Sequence, residues 1–279
     1  MKIAVLSGKG GTGKTFVAVN LAAVSFRSTY LDCDVEEPNG HLFFKSSISY
    51  SEEVKVKIPY AISSLCDGSR KCVEFCQYNA LAYVQEKLIV FEDVCHSCGG
   101  CVLVCPNGAI REKDKVIGII QEGQSNDVRV ISGFLNPGEA SGIPIIKNIL
   151  QKILLEDEKV FIDCPPGSSC IVMESIKNAD FCLIIAEPTI FGVHNLAMVH
   201  ELVSVFKKPF AVVLNKCSDE DNPAKTYCLN QKIRIIAEIP YSEEIGNTCS
   251  NGLILVRELP KYRPMFQNIL AEIEKGNYK

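Results

Sequence analysis

Gly8-Lys9-Gly10-Gly11-Thr12-Gly13-Lys14-Thr15 follows the apolar run Ile3-Ala4-Val5-Leu6 directly and opens a second apolar stretch over residues 16–26. It satisfies G-x-x-x-x-G-K-[ST] in full, and the order strand, glycine loop, helix is the context a phosphate-binding loop needs. Glycines let the backbone wrap phosphates with its N–H groups turned inward, and the helix N-terminus adds a positive dipole end. All residues of the loop, from Gly8 to Thr15, are therefore candidate ATP contacts. Lys14 is expected to reach the β- and γ-phosphates, and the Thr15 hydroxyl to ligate Mg2+.

Outward from the loop, strand-like and helix-like segments alternate. The helix over residues 15–26 is apolar almost all round (Phe16, Val17, Val19, Leu21, Ala22, Val24), which suits a helix packed on a parallel sheet. A strand at 29–31 delivers Asp32-Cys33-Asp34. After residue 128 the alternation resumes: a strand at 128–131, a loop through Asn136-Pro137-Gly138-Glu139, and a helix over 145–155 with Glu156-Asp157-Glu158 as its solvated end. Next comes Val160-Phe161-Ile162-Asp163-Cys164-Pro165-Pro166-Gly167. An apolar strand ending in Asp is the Walker B pattern, which assigns Asp163 to Mg2+. Further strands are expected at 181–186, 210–214 and 233–239, and an amphipathic helix packed on the domain at 260–275. The fold class is α/β: a mostly parallel P-loop NTPase sheet with helices on both faces.

The chain has 279 residues, 47% of them hydrophobic, enough for one large domain plus a small insert. Its net charge of -4 argues against a general nucleic-acid or anionic-membrane binder. No apolar run approaches the roughly 18 residues of a membrane span, and no signal peptide precedes the first strand, so a cytoplasmic setting is expected. Fourteen cysteines in a reducing compartment point to metal rather than to disulfides.

The cysteines are patterned. Cys95-x2-Cys98-x2-Cys101-x3-Cys105-Pro106 matches the bacterial ferredoxin run at every position. Shifted back by 29 residues it recurs, with Cys66, Cys72 and Cys76 under Cys95, Cys101 and Cys105, and Ala80-Leu81 under Ala109-Ile110. Each half should end in a hairpin, in the first half from 82–84 and 88–91. One ligand position breaks the repeat, because Ser69 stands under Cys98, and Gln77 replaces the proline. In two-cluster ferredoxins the fourth cysteine of each run serves the other cluster. That crossing gives one complete iron-sulfur site, Cys95, Cys98, Cys101 and Cys76, for a 4Fe-4S cluster. The incomplete site has Cys66, Cys72 and Cys105, with Ser69 nearby. A hydroxyl keeps its proton near neutral pH and is a harder donor than a thiolate, so this site is expected to hold 3Fe-4S, or 4Fe-4S with a labile iron on Ser69, Asp67 or solvent. An empty site and zinc are the alternatives.

Lys-Gly-Gly-x-Gly-Lys-Thr, with its second lysine at Lys9, resembles the deviant Walker A loop of the MinD/ParA superfamily, which includes the nitrogenase iron protein. The resemblance covers nearly the whole chain. It implies a homodimer that sandwiches ATP, with Lys9 reaching the partner's nucleotide. It places Asp34 in switch I beside Mg2+ and the attacking water, so that Lys9, Lys14 and Asp34 form the catalytic set and Thr15, Asp34 and Asp163 the Mg2+ set. Asp-x-Pro-Pro-Gly looks like switch II, where Gly167 senses the γ-phosphate. Asn215 at a strand end would read the adenine ring, with Pro240 near the base. Cys170 stands at the spacing of a cluster cysteine in the nitrogenase iron protein, but the 135–143 loop lacks the second cysteine such a bridge needs. Buried packing is therefore expected for Cys170, as for Cys33, Cys182, Cys217, Cys228 and Cys249, and a structural role for His194 at the start of its helix.

The expected organisation is a P-loop ATPase domain at 1–45 and 120–279, interrupted by a ferredoxin-like iron-sulfur domain at 55–118. Three functions fit: ATP-gated electron delivery to an acceptor protein, ATP-dependent carriage of an iron-sulfur cluster or metal cofactor to an acceptor, and a MinD-like positioning switch with structural clusters. No nucleic-acid or membrane partner is expected.

Overall fold

The computed structural model describes residues 1–154, 159–218 and 222–276. The strands are β1 (Lys2–Leu6), β2 (Ser28–Asp32), β3 (Ser47–Ala61), β4 (Leu81–Val84), β5 (Lys87–Val90), β6 (Ile110–Ser125), β7 (Val128–Leu135), β8 (Lys159–Asp163), β9 (Phe181–Ala186), β10 (Phe210–Cys217) and β11 (Ile235–Pro240). The helices are α1 (Lys14–Val24), α2 (Gly40–Phe44), α3 (Lys71–Phe75), α4 (Gly100–Val104), α5 (Ile143–Gln151), α6 (Cys170–Ile176), α7 (Ile190–Val205), α8 (Pro223–Asn230), α9 (Glu243–Ser250), α10 (Leu255–Glu258) and α11 (Arg263–Glu274). The end of the 145–155 helix, including Glu156-Asp157-Glu158, lies outside the described residues.

One sheet organises the molecule, in the order β11-β10-β9-β1-β8-β2-β7-β6-β3. From β11 to β7 every neighbouring pair is parallel, and β6 and β3 add antiparallel strands at one edge. Strands covered on both faces must be apolar at successive positions. Accordingly Ala4 and Leu6 join the core layer that contains Ile145, Val172 and Leu196, while Ile3 and Val5 face the layer that contains Phe16, Leu21 and Phe266. Phe266, Ile269, Leu270 and Ile273 of α11 are buried in that second layer, as the amphipathic pattern predicts.

The antiparallel edge positions everything else. β3 pairs with β6 from Ser47↔Gln124 to Ala61↔Ile110, but β6 meets β7 only from Gly118↔Leu135 to Ser125↔Val128. Residues 55–61 and 110–117 therefore continue as a two-stranded ribbon past the C-terminal end of β7, about 20 Å at the usual rise per residue. In a parallel sheet that end is the nucleotide side, so the ribbon rises on the side of the P-loop. At its tip, residues 62–109 fold as a repeat. The helices Lys71–Phe75 and Gly100–Val104 are 29 residues apart, and so are the left-handed residues Gly68 and Ser97, Arg70 and Gly99, and Asn79 and Gly108. The first half ends in the expected hairpin, β4 with β5. The second half does not: its strand is β6 itself, drawn into a long pairing with β3 instead of turning back locally.

Candidate functional site

The P-loop is built as its glycines dictate. Gly11 and Gly13 have φ of 79° and 92°, a region that L side chains rarely adopt. A Cβ on Gly13 would also lie 2.1 Å from Asn215 Nδ2. At the mouth of α1, Lys14 is buried, with its Nζ 2.6 Å from Asp163 Oδ1 and 3.6 Å from Asp34 Oδ2. The Tyr30 hydroxyl donates to the other oxygen of Asp163 at 2.8 Å, and Gly40 N donates to Asp32 Oδ2 at 2.8 Å. Thr15 stands in the first turn of α1, half-buried.

Three carboxylates thus converge on one ammonium. Burial opposes the charge on Lys14, but Asp163 and Asp34 together outweigh it and hold the ammonium above the usual lysine value. Burial, with Asp163 alongside, pushes the Asp32 carboxyl up to about 8, and burial pushes Asp34 up to about 6 against the pull of Lys14. Such a nest of oxygens around one cation is suited to a divalent ion and phosphates, which would release Lys14 from Asp163. The oxygen set Thr15, Asp34 and Asp163 fits Mg2+ in its chemistry.

Switch-like segments radiate from this point. Gly167 follows Asp163 with φ 95°, and its N–H donates to Ser7 O at 2.8 Å. Lys9 turns to its own chain, where Glu187 holds it at 2.6 Å and also holds Lys216 at 2.6 Å. Sequence reasoning missed Glu187 and Lys216, although Glu187 follows β9, and strand ends on this side of a parallel sheet collect ligand-binding residues. Beside the P-loop a cleft of about 300 Å3 is lined by Phe16, Asn215, Lys216, Pro240, Tyr241 and Cys249. Asn215 Nδ2 donates to Thr12 O at 2.8 Å, leaving its carbonyl oxygen as an acceptor for a base amino group. The structure therefore brings Asn215 and Pro240 together beside the P-loop.

Cys33, Cys182 and Cys228 are buried as expected, but Cys217 and Cys249 are only half-buried and Cys170 is exposed. It is the first residue of α6, on a turn that faces away from the Val172, Ser175 and Ile176 contacts. His194 is exposed on α7, whose start is capped by Thr189 accepting from Gly192 N.

In the lobe the cysteines fall into two groups. The Cys72 thiol, pushed up chiefly by burial, feels Cys105 and Cys66. Cys95, likewise raised by burial, feels Cys76 and Cys98, and Cys101, pushed up to about 11 by burial, feels Cys95 and Cys98. Cys76, Cys95, Cys98 and Cys101 line one cleft of about 60 Å3 with Pro59, Phe75 and Leu81 as apolar walls. Tyr78 stacks on His96 at 3.8 Å across that cleft, tying the two halves of the repeat. Ala109 N donates to Cys105 Sγ at 3.2 Å. Ser69 is exposed, and its N–H donates to the Asp67 carboxylate at 3.0 Å. Among the described residues no three His, Cys, Asp or Glu side chains are set to hold a single metal ion. The fit to a multinuclear cluster rests on the sulfur donors, the shared cleft and the N–H···S bond.

A parallel sheet, a glycine loop opening α1 and an acid at the end of the neighbouring strand define a P-loop nucleotide hydrolase. Residues 3–256 match the CobQ/CobB/MinD/ParA nucleotide-binding domain, and the chain belongs to that family of ATPases. It is 31% identical to the uncharacterized protein MJ0579 of Methanocaldococcus jannaschii over 90% of each chain. It is also 31% identical to MJ0578 of that organism, over 99% of this chain and 97% of the relative. Among solved structures it resembles the Pyrococcus furiosus cell division ATPase MinD, with a TM-score of 0.62, 18% identity and 98% of both chains covered, a likeness of fold. A stretch of 59 residues, 20% of this chain, is 36% identical to the 7Fe ferredoxin of Hydrogenibacillus schlegelii and covers 76% of it. No helix among the described residues is long and apolar enough to cross a membrane.

Proposed function

We propose that this ATPase uses ATP-driven closure of a homodimer to gate electron transfer through the lobe at the ribbon tip to a partner protein. In this reading Lys14 and the P-loop N–H groups hold the phosphates, Thr15, Asp34 and Asp163 hold Mg2+, Asn215 reads the base, and Lys9 leaves Glu187 to reach the facing nucleotide. Mg2+ would neutralise phosphate charge. Cys95, Cys98, Cys101 and Cys76 would hold one 4Fe-4S cluster, and Cys66, Cys72 and Cys105 a second centre, with the lobe and its ribbon forming the inserted iron-sulfur domain. Bound clusters would supply one-electron carriers at low potential.

One observation carries the coupling. Val35, next to Asp34, accepts from Leu135 N at 2.8 Å, and Leu135 is the residue beyond which the ribbon leaves the sheet. Movement of Asp34 with nucleotide therefore acts at the base of the lobe.

A second reading, an ATP-dependent cluster carrier, is favoured by the missing fourth thiol at Ser69, and the partial match to a 7Fe ferredoxin supports an iron-poor second centre. The two separate on one assay: reduced, reconstituted protein is mixed with Mg-ATP and either a redox dye or an apo-ferredoxin. Electron delivery predicts ATP-dependent dye reduction with the iron retained. Transfer of iron to the apo-ferredoxin without dye reduction would replace the gate with the carrier.

A further inference from the structure

Between the lobe and the ATPase lies a narrow cleft of about 30 Å3, lined by Glu92, Cys95, Lys115, Glu139 and Pro144. Its two walls belong to different machinery. Cys95 opens the second cysteine run, while Glu139 stands in the 136–142 loop that follows β7 and leads into α5. That loop is held to the ribbon base by Asn136 N donating to Ile117 O at 2.9 Å, and its first neighbour Leu135 is bonded to Val35. Gly142 at its end permits close contact, since a Cβ there would lie 2.4 Å from Val35 Cγ2 and 3.3 Å from Ile171 Cδ1. The loop thus touches the segments after Asp34 and after Asp163, the two acids of the nucleotide site.

Lys115 spans the cleft. It lies on β6 opposite Val56, and its Nζ is 3.0 Å from Glu139 Oε2, 3.1 Å from Asp93 Oδ1 and 3.3 Å from Glu92 O. The side chains of Lys115 and Glu139 are only 16% and 12% exposed, so the bond on the ATPase side is shielded, whereas Asp93 is 85% exposed. A lysine that merely braced the stem would need a partner on the neighbouring strand, as Lys57 has in Asp114 at 2.7 Å. Lys115 instead has one partner from the nucleotide-side loop and two from the turn that leads into Cys95.

We infer that Lys115 is a positioning residue that transmits nucleotide-driven movement of the 136–142 loop to the complete cysteine site through the chain Glu139, Lys115, Glu92 and Asp93. This rests on the coupled reading proposed above and adds the contact through which the coupling runs. A shift of Glu139 either drags the ammonium away from the Cys95 turn or leaves it there with one partner fewer, and both change the field and packing at Cys95. Removal of either end of the shielded bond uncouples the two sites without touching the P-loop or any cysteine.

The test is hydrogen–deuterium exchange of the iron-reconstituted full chain, with and without Mg and a non-hydrolysable ATP analogue. In the wild type, exchange should change in both the 136–142 loop and the 92–99 turn. In Lys115→Met the loop should still respond and the turn should not, at unchanged iron content and basal ATP hydrolysis, and Lys115→Arg should restore the response. Glu139→Gln, which leaves the lobe end of the bridge intact, should repeat the Lys115→Met result if that variant loses iron. A turn that responds in both Lys115→Met and Glu139→Gln as in the wild type overturns the inference. A wild-type turn that never responds overturns it as well. The dye-reduction assay decides separately whether electrons are gated at all.

Discussion

Replacing Lys14 with methionine keeps most of the stem's volume but removes the ammonium that Asp163, Asp34 and Asp32 face. Asp163 and Asp32 are fully buried, and Lys14 lies 2.6 Å from Asp163 with only 6% of its side chain exposed. Removing one partner of a buried pair costs about 3–5 kcal/mol, because the survivor is left buried and unpaired. Two features reduce that cost: the Tyr30 hydroxyl and Gly40 N–H still donate to the carboxylates, and Asp32, already pushed up to about 8, takes up a proton readily. We therefore expect the nucleotide-free protein to lose about 3 kcal/mol at pH 8. A carboxyl whose folded pKa is raised destabilises the fold above that pKa and not below its unfolded value, so the loss should shrink on going to pH 6. Adding Asp163→Asn to the Lys14→Met protein should recover about half of that loss, about 1.5 kcal/mol, because the buried carboxylate left unpaired is then replaced by a neutral amide. The assay is urea unfolding without nucleotide or Mg2+, followed by circular dichroism. A Lys14→Met midpoint equal to wild type, or a double variant no more stable than the single, would refute the buried pair as an organising contact of the empty site.

Three further outcomes follow from other parts of the molecule. Ser69→Cys should raise the iron content of the reconstituted protein and remove any 3Fe-4S signal from its EPR spectrum; an unchanged iron count and spectrum would remove Ser69 from the incomplete site. Asn215→Ala should weaken ATP binding by about 10- to 100-fold, the worth of a hydrogen bond lost inside a closed cleft, and narrow the preference for ATP over GTP, read by calorimetric titration of both; equal affinities before and after would take Asn215 away from the base. Burial holds the pKa of His200 below its ordinary 6.5, with its Nδ1 3.1 Å from the Tyr227 hydroxyl. The unfolded chain then binds more protons just below 6.5, so stability should fall as pH drops from 6.5 toward the folded pKa. His200→Phe should flatten that slope in chemical unfolding at pH 7.5 and 5.5, and a slope as steep as wild type would contradict the assignment.

What the sequence made legible was local. Glycines at Gly11 and Gly13, the apolar strand ending in Asp163 and the spaced cysteines each declare their chemistry within a few residues, and the 29-residue offset survives as matched backbone conformations. The antiparallel edge was harder to read. Glu53, Val54, Lys55, Val56, Lys57 and Ile58 alternate as an edge strand should, with charges turned outward, but the pattern sits between two stronger signals and its partner lies more than fifty residues away. Glu187 with Lys9, and Lys115 with Glu139, are pairs that only the fold creates, since Glu187, Lys115 and Glu139 carry no motif. The exposure of Cys170 has the same cause: whether the first residue of α6 faces the core depends on how that helix sits on the sheet.

The central claim, that nucleotide and cysteine sites form one coupled device, is tested most directly by an anaerobic EPR titration of the reconstituted protein, poised at a series of potentials with and without Mg-ATP. Coupling predicts that nucleotide shifts the midpoint potential or line shape of at least one cluster. Identical midpoints and line shapes in both series would contradict it and leave the lobe electronically independent of the ATPase.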